Sequence, residues 1–187
     1  MLHFAYGSNM SRAPMRARCP SAREVGTATL AGHRLIITSD GYASVVPQPG
    51  GVVHGLLWRL APRDVAALNA YESLDTGLYR IVTLPVRLAH VPAKRTPVRR
   101  QEHAPNDDPG GRSDSAGTGR TPGGRQVPAM IYVARSRTPG LPRPGYLEAV
   151  LAAARELELP ADYVEALARW LPSGLRARRA PDAGEVA

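Results

Sequence analysis

The sequence predicts an α+β protein, rich in strands over its first part and helical at its end. Three observations carry this. Short runs of β-branched and alternating apolar residues recur between turn residues from Leu2 to Arg135. One helical stretch, APRDVAALNAYES, lies between two of these runs. The later PGYLEAVLAAARELELPADYVEALARWLPSG then places its apolar residues at helical spacing. With 187 residues and 43% hydrophobic content, the chain reads as a single domain over 1–172 with a real core.

Taken in order, Leu2–Tyr6 reads as a strand that breaks at Gly7-Ser8-Asn9, followed by a short helical turn over Ser11–Arg18. Strands follow at Thr27–Ala31, His33–Thr38, Ala43–Val46 and Val52–Leu60, with Gly50-Gly51 as turn glycines. The central helix starts at Pro62, a residue tolerated in a first turn because its missing N–H would have no partner there. Tyr79–Leu88 and Val127–Arg135 are the last two strands, and residues 92–126 separate them. That segment holds five Pro and six Gly, with Val98 as its only large apolar residue. It cannot bury enough surface to offset its ordering entropy, so it reads as a disordered insertion inside a hairpin. Two helices divided at Pro160 close the domain. Leu147, Val150, Leu151, Ala154 and Leu157 face the core from the first; Val164, Leu167 and Trp170 or Leu171 do so from the second. Residues 173–187 read as a flexible tail.

The charge and the cysteine count narrow the function. The net charge is +8, but the 92–126 segment holds seven basic against four acidic residues, and 172–187 three against two. Half of the excess therefore lies in segments read as unfolded. The rest forms no dense stripe, so a specific nucleic-acid site is not indicated. No apolar run approaches the ~18 residues of a membrane span, and the start lacks a secretory pattern. Cys19 is the only cysteine, which excludes a disulfide framework and makes a cytoplasmic home the simplest reading. His3, His33, His54, His90 and His103 form no pair at metal-ligand spacing and have no accompanying Cys cluster, so no metal is expected.

Two places could carry chemistry. Tyr6-Gly7-Ser8-Asn9 ends the first strand in turn-prone residues, and Gly7 can take φ > 0 there without penalty. A plain turn accounts for these four residues by itself. The same turn also leaves N–H groups free to hold a carboxylate or a developing oxyanion. The second place is Glu72, which continues the Val65–Leu68 stripe at the C-terminal end of its helix. Burial and the helix dipole would both raise its pKa, as suits a general base near neutral pH. Periodicity alone leaves open a Glu that frays out to solvent.

FAYGSNM, SVVPQPGGVVHGLLWRL and LNAYESLDTGLYR, taken together, resemble the γ-glutamylcyclotransferase family. The matching motifs are Tyr6-Gly7-Ser8-Asn9, the V-x-G-x-x-W run from Val53 to Trp58, Glu72 and Tyr79, with PRPGYLEAV resembling the P-x-P-x-Y segment before the family's closing helices. The resemblance implies a compact mixed β-barrel, a helix carrying the catalytic Glu72 and two C-terminal helices. It implies a substrate site of Ala5, Tyr6, Gly7, Ser8, Asn9 and Tyr79, a small γ-glutamyl compound as partner, and no cofactor. A homodimer stays open. The implied reaction is cyclisation of a γ-glutamyl amide to 5-oxoproline with release of an amine. In one departure, Arg137 stands where some relatives place a Tyr that touches substrate, which leaves the leaving-amine side of the pocket open. Removal of a γ-glutamyl protecting group by the same chemistry, a non-catalytic pocket and a nucleic-acid-associated protein are the alternatives.

Overall fold

The computed structural model describes residues 1–72, 77–89 and 124–172. Its strands are β1 (Leu2–Ala5), β2 (Arg23–Ile37), β3 (Ala43–Arg59), β4 (Tyr79–Leu88) and β5 (Gln126–Ala134). Its helices are α1 (Arg12–Arg18), α2 (Pro62–Tyr71), α3 (Tyr146–Glu156) and α4 (Ala161–Ala168), with a 3-10 turn over Ser8–Met10. The strands close into a barrel in the order β1-β3-β2-β4-β5. All neighbours are antiparallel except β1 and β5, where His3 faces Met130 in a parallel pair. The fold is thus the mixed α+β barrel that the motifs imply.

The β4–β5 hairpin runs from Tyr79 opposite Ala134 to Arg87 opposite Gln126. The Leu88 N–H donates to the Arg125 carbonyl at 3.0 Å, so the last residues of the 92–126 segment belong to the hairpin. The rest of that segment, through residue 123, lies outside the described residues, as do His90, His103 and the tail 173–187.

Two pairs of expected strands are continuous. β2 joins Thr27–Ala31 to the run from His33, starts earlier at Arg23 and ends at Ile37; β3 joins Ala43–Val46 to Val52–Leu60, ending at Arg59. Thr38 makes only an isolated bridge to Pro139. The glycines and prolines that suggest chain breaks mark a bulge instead. Ala31 faces Val52 while His33 faces Pro47, so residues 48–51 stand out opposite Gly32 and the ladder resumes beyond them.

Gly55 shows what the V-x-G-x-x-W run does. A Cβ there would lie 2.1 Å from the Ala5 carbonyl oxygen and 3.0 Å from the Phe4 ring, so only glycine lets β1 approach β3 this closely. Three residues on, buried Trp58 donates its Nε1–H to the Asn9 carbonyl at 3.0 Å. The run therefore supports the loop that follows β1. From the other side α3 packs on the 3-10 turn, burying Leu147, Val150, Leu151, Ala154 and Leu157 as its spacing predicts. Arg12 forks onto both oxygens of Glu24 and reaches Glu156, each at 2.7 Å, linking α1 to β2 and α3. On the last helix Leu167 is buried, and Leu171 rather than Trp170 completes its buried stripe. Among the described residues no helix is long and apolar enough to cross a membrane.

Candidate active site

A cavity of about 170 Å³ opens where β1 ends. The chain from Phe4 to Asn9 forms one wall, and Glu72 faces it from the end of α2. Six of the seven tyrosines in the sequence join them: Tyr6, Tyr42, Tyr71, Tyr79, Tyr132 and Tyr146. Residues 3–9, 42–43, 71–72, 78–79, 132 and 146 meet here only because the barrel closes.

The placement of Glu72 begins at the other end of its helix. Buried Asp64 accepts the N–H of Ala61 at 3.1 Å and of Ser21 at 3.3 Å, fixing the first turn of α2. Leu68 is fully buried one turn before Glu72 and Val65 is partly buried before that, so the stripe carries the carboxylate inward. The Glu72 N–H still donates to the Leu68 carbonyl, at 2.9 Å. Its Oε1 accepts a 2.5 Å hydrogen bond from Asn9 Nδ2. Burial pushes the Glu72 carboxyl above the usual carboxylate range, against the opposing pull of the Asn9 bond and the Arg18 charge. Of the two readings open in the sequence, the geometry matches the inward one.

The loop differs from expectation at Gly7, whose φ is −119° rather than positive. The turn that follows is 3-10, closed by Met10 N–H to the Gly7 carbonyl at 3.0 Å and Ser11 N–H to the Ser8 carbonyl at 3.1 Å. The N–H groups of Gly7 and Asn9 make no hydrogen bond among the described residues, and both residues line the cavity. What demands glycine at position 7 is space: a Cβ would sit 2.8 Å from the Tyr146 hydroxyl oxygen. Asn9 also does more than shape a turn. Its side chain bridges Glu72 and Arg18, whose Nη1 donates to Asn9 Oδ1 at 2.7 Å.

The other expected residues all line the cavity. Ala5 is buried at the end of β1, and Ser8 opens the 3-10 turn. Tyr6 spends its hydroxyl proton on the Tyr132 carbonyl at 2.5 Å, so its ring forms wall while its polar tip holds the barrel. Tyr79 donates to the Ala43 carbonyl at 2.9 Å and keeps only acceptor capacity for anything in the cavity. Arg137 is exposed and takes no part in the wall.

Tyr146, marked in sequence only by the P-x-P-x-Y segment, and Tyr132, unmarked there, also line the cavity. The Tyr146 oxygen accepts the Ala43 N–H at 3.1 Å, so its own proton remains available as a donor. Tyr132 donates to Asn69 Oδ1 at 2.7 Å, tying β5 to α2 near Glu72. Burial raises the hydroxyl pKa of Tyr6, Tyr79, Tyr132 and Tyr146, the last to about 12, so all four are neutral at pH 7. Tyr146 had a signal in its P-x-P-x-Y context, whereas Tyr132 reads as one more apolar strand residue.

His3, also on the wall, is 2% exposed, and its Nδ1 lies 3.2 Å from the Met130 carbonyl. A carbonyl can only accept, so Nδ1 carries the proton and Nε2 is a bare acceptor without a partner among the described residues. Burial lowers the His3 pKa from 6.5 to about 4. Between those values the unfolded chain binds a proton that the folded chain refuses, so stability falls as pH drops through this window. The loss approaches about 3 kcal/mol at pH 4. His3→Phe should flatten the difference in urea midpoint between pH 7 and pH 4.5; equal slopes in both proteins would remove His3 as the cause. Cys19 is fully buried, its thiol 3.5 Å from the Asp64 carbonyl and its pKa raised by burial, as a structural cysteine should be. Among the described residues no group of three His, Cys, Asp or Glu is placed to hold a metal ion.

Comparison with known proteins gives the same direction as the motifs. The family model described as gamma-glutamyl cyclotransferase, AIG2-like, matches residues 3–106, and that of the AIG2-like family matches residues 119–167. The gamma-glutamylcyclotransferases of Mus musculus and Homo sapiens are each 23% identical over 176 residues, covering 89% of this chain and 76% of theirs. A solved structure of a gamma-glutamyl cyclotransferase shares the fold with a TM-score of 0.68 at 21% identity, covering 100% of this chain and 93% of its own. With more than half of its length matched by that model, and the barrel and loop in place, the chain belongs to the gamma-glutamyl cyclotransferase, AIG2-like family.

Proposed function

We propose that the protein cyclises a γ-glutamyl amide to 5-oxoproline and releases the free amine. The observation that carries this reading is Glu72: a partly buried carboxylate with a raised pKa, on the cavity wall opposite the loop that ends β1. The chemistry asks for little else. The α-amino nitrogen of the substrate attacks its own γ-carbonyl carbon, forming the ring C–N bond and a tetrahedral oxyanion. The bond from that carbon to the leaving nitrogen then breaks as the carbonyl reforms. Because nucleophile and electrophile belong to one molecule, the protein's task is to hold it folded. An ammonium cannot attack, so Glu72 takes one proton from it. Closing the lactam releases a second proton from the ring nitrogen. The leaving nitrogen takes up both, one of them from Glu72, and departs as an ammonium. No water is consumed.

The N–H groups of Gly7 and Asn9 and the Tyr146 hydroxyl proton, which have no acceptor among the described residues, suit the carboxylate and the oxyanion of such a substrate. The tyrosine hydroxyls stay neutral, so they add no negative charge against the oxyanion. The test is a panel of γ-glutamyl amino acids, peptides and amines incubated with the full-length protein and a chelator, with 5-oxoproline and free amine both quantified. Equimolar release of the two from at least one compound is expected. Release of glutamate instead, or no turnover of any compound by folded protein, rejects the reading.

A further inference from the structure

We infer that Arg18 is a positioning residue for Glu72, acting through the Asn9 amide; this rests on Glu72 being the base. The three side chains form a chain from α1 to α2: Arg18 Nη1 to Asn9 Oδ1 at 2.7 Å, then Asn9 Nδ2 to Glu72 Oε1 at 2.5 Å. A terminal amide can present either its oxygen or its NH₂ to a neighbour, and only the NH₂ face favours a carboxylate. Guanidinium has donors and no acceptor, so Arg18 selects the amide oxygen and leaves the NH₂ for Glu72. The Asn9 backbone is already held by Trp58 through its carbonyl. What Arg18 decides is the side-chain orientation.

Arg18 is itself held in place. Fully buried Met15 anchors α1, the Cys19 N–H caps the helix at the Met15 carbonyl at 2.8 Å, and the guanidinium carbon lies 3.3 Å from the centroid of the Tyr71 ring. It does not line the cavity. Among the described residues, the groups that face Glu72 are Asn9, Arg18 and the hydroxyls of Tyr6, Tyr79, Tyr132 and Tyr146. All four hydroxyls are neutral in the working range, so Arg18 supplies the charge that offsets the burial of the carboxylate. Without it the Glu72 pKa rises further, and less base is available at a given pH.

The experiment compares kcat and KM across pH for the wild type, Arg18→Met, Arg18→Lys and Glu72→Gln, using the best substrate from the panel. In Arg18→Met the acidic limb of kcat should move up by about 1 pH unit, making turnover below the limb about tenfold lower. KM should stay within about twofold, since Arg18 acts off the substrate. Arg18→Lys keeps the charge and a donor and should return most of the limb. If Arg18→Met does not fold, Arg18→Gln serves, because it offers Asn9 an NH₂ without the charge and should also shift the limb. An unmoved limb in a folded neutral variant, or a rise in KM alone, overturns the inference while an inactive Glu72→Gln leaves the base reading standing. Full activity in Glu72→Gln overturns the base reading and the inference together.

Discussion

Glu72→Gln should lower 5-oxoproline formation by about 10²–10⁴-fold, the range assigned to general base catalysis. The fold should survive. Gln has nearly the same shape, its side-chain oxygen can still accept the Asn9 Nδ2 hydrogen that now reaches Oε1, and an amide carries no charge to desolvate. The folded state raises the Glu72 pKa, so at neutral pH burial of the carboxylate opposes folding, and the Gln variant should melt no lower than the wild type. In the wild type, kcat should rise with pH along a limb lying above the ordinary glutamate range, as Glu72 loses its proton. That limb should vanish with the carboxylate. Near-normal turnover in a folded Glu72→Gln protein would end the mechanism.

Gly7→Ala should lower kcat/KM by roughly 10- to 100-fold, on the scale of an ångström's misplacement in a site. The added Cβ would lie 2.8 Å from the Tyr146 hydroxyl oxygen and 3.5 Å from the Ala43 Cβ. The first distance is too short to persist. Because the Gly7 φ of −119° is open to alanine, relief must come from moving Tyr146 or the loop rather than from a strained backbone. Moving Tyr146 loosens its contact with the Ala43 N–H and withdraws the free donor from the cavity. The stability loss should be modest, about 1–3 kcal/mol for such overpacking. Ser8→Ala, whose side chain makes no hydrogen bond among the described residues, should be far milder. The decisive measurement pairs melting temperature with 5-oxoproline formation on one preparation. A stable Gly7→Ala protein with full activity would leave Tyr6-Gly7-Ser8-Asn9 an ordinary turn.

Much of the fold is legible in local signals. The period-2 runs mark β1, β4 and β5, Pro62 and the Val65–Leu68 spacing mark α2, and the apolar face of α3 is buried residue for residue. The hairpin across the 92–126 segment follows from two flanking strand patterns. Where local reading fails, at the joined halves of β2 and β3, the cause is pairing. Gly32 and the Pro-Gly-Gly of residues 49–51 weaken a strand taken alone, but the partner strand supplies hydrogen bonds on both sides of the bulge.

The sequence by itself determined the class of fold, the family, and the two features that frame the chemistry: a loop poor in side chains and a carboxylate on an inward stripe. These are properties of residues near one another in the chain. Only the tertiary structure decided what surrounds them. Barrel closure between His3 and Met130 carries Tyr132 to Asn69, and α3 carries Tyr146 across the loop to Ala43. It turned the reason for Gly7 from backbone freedom into lack of room, and made Asn9 a bridge between Arg18 and Glu72. Such contacts join residues 9 to 127 positions apart. No periodicity records them, because the free energy that selects them comes from packing the whole barrel rather than from the propensity of any one segment.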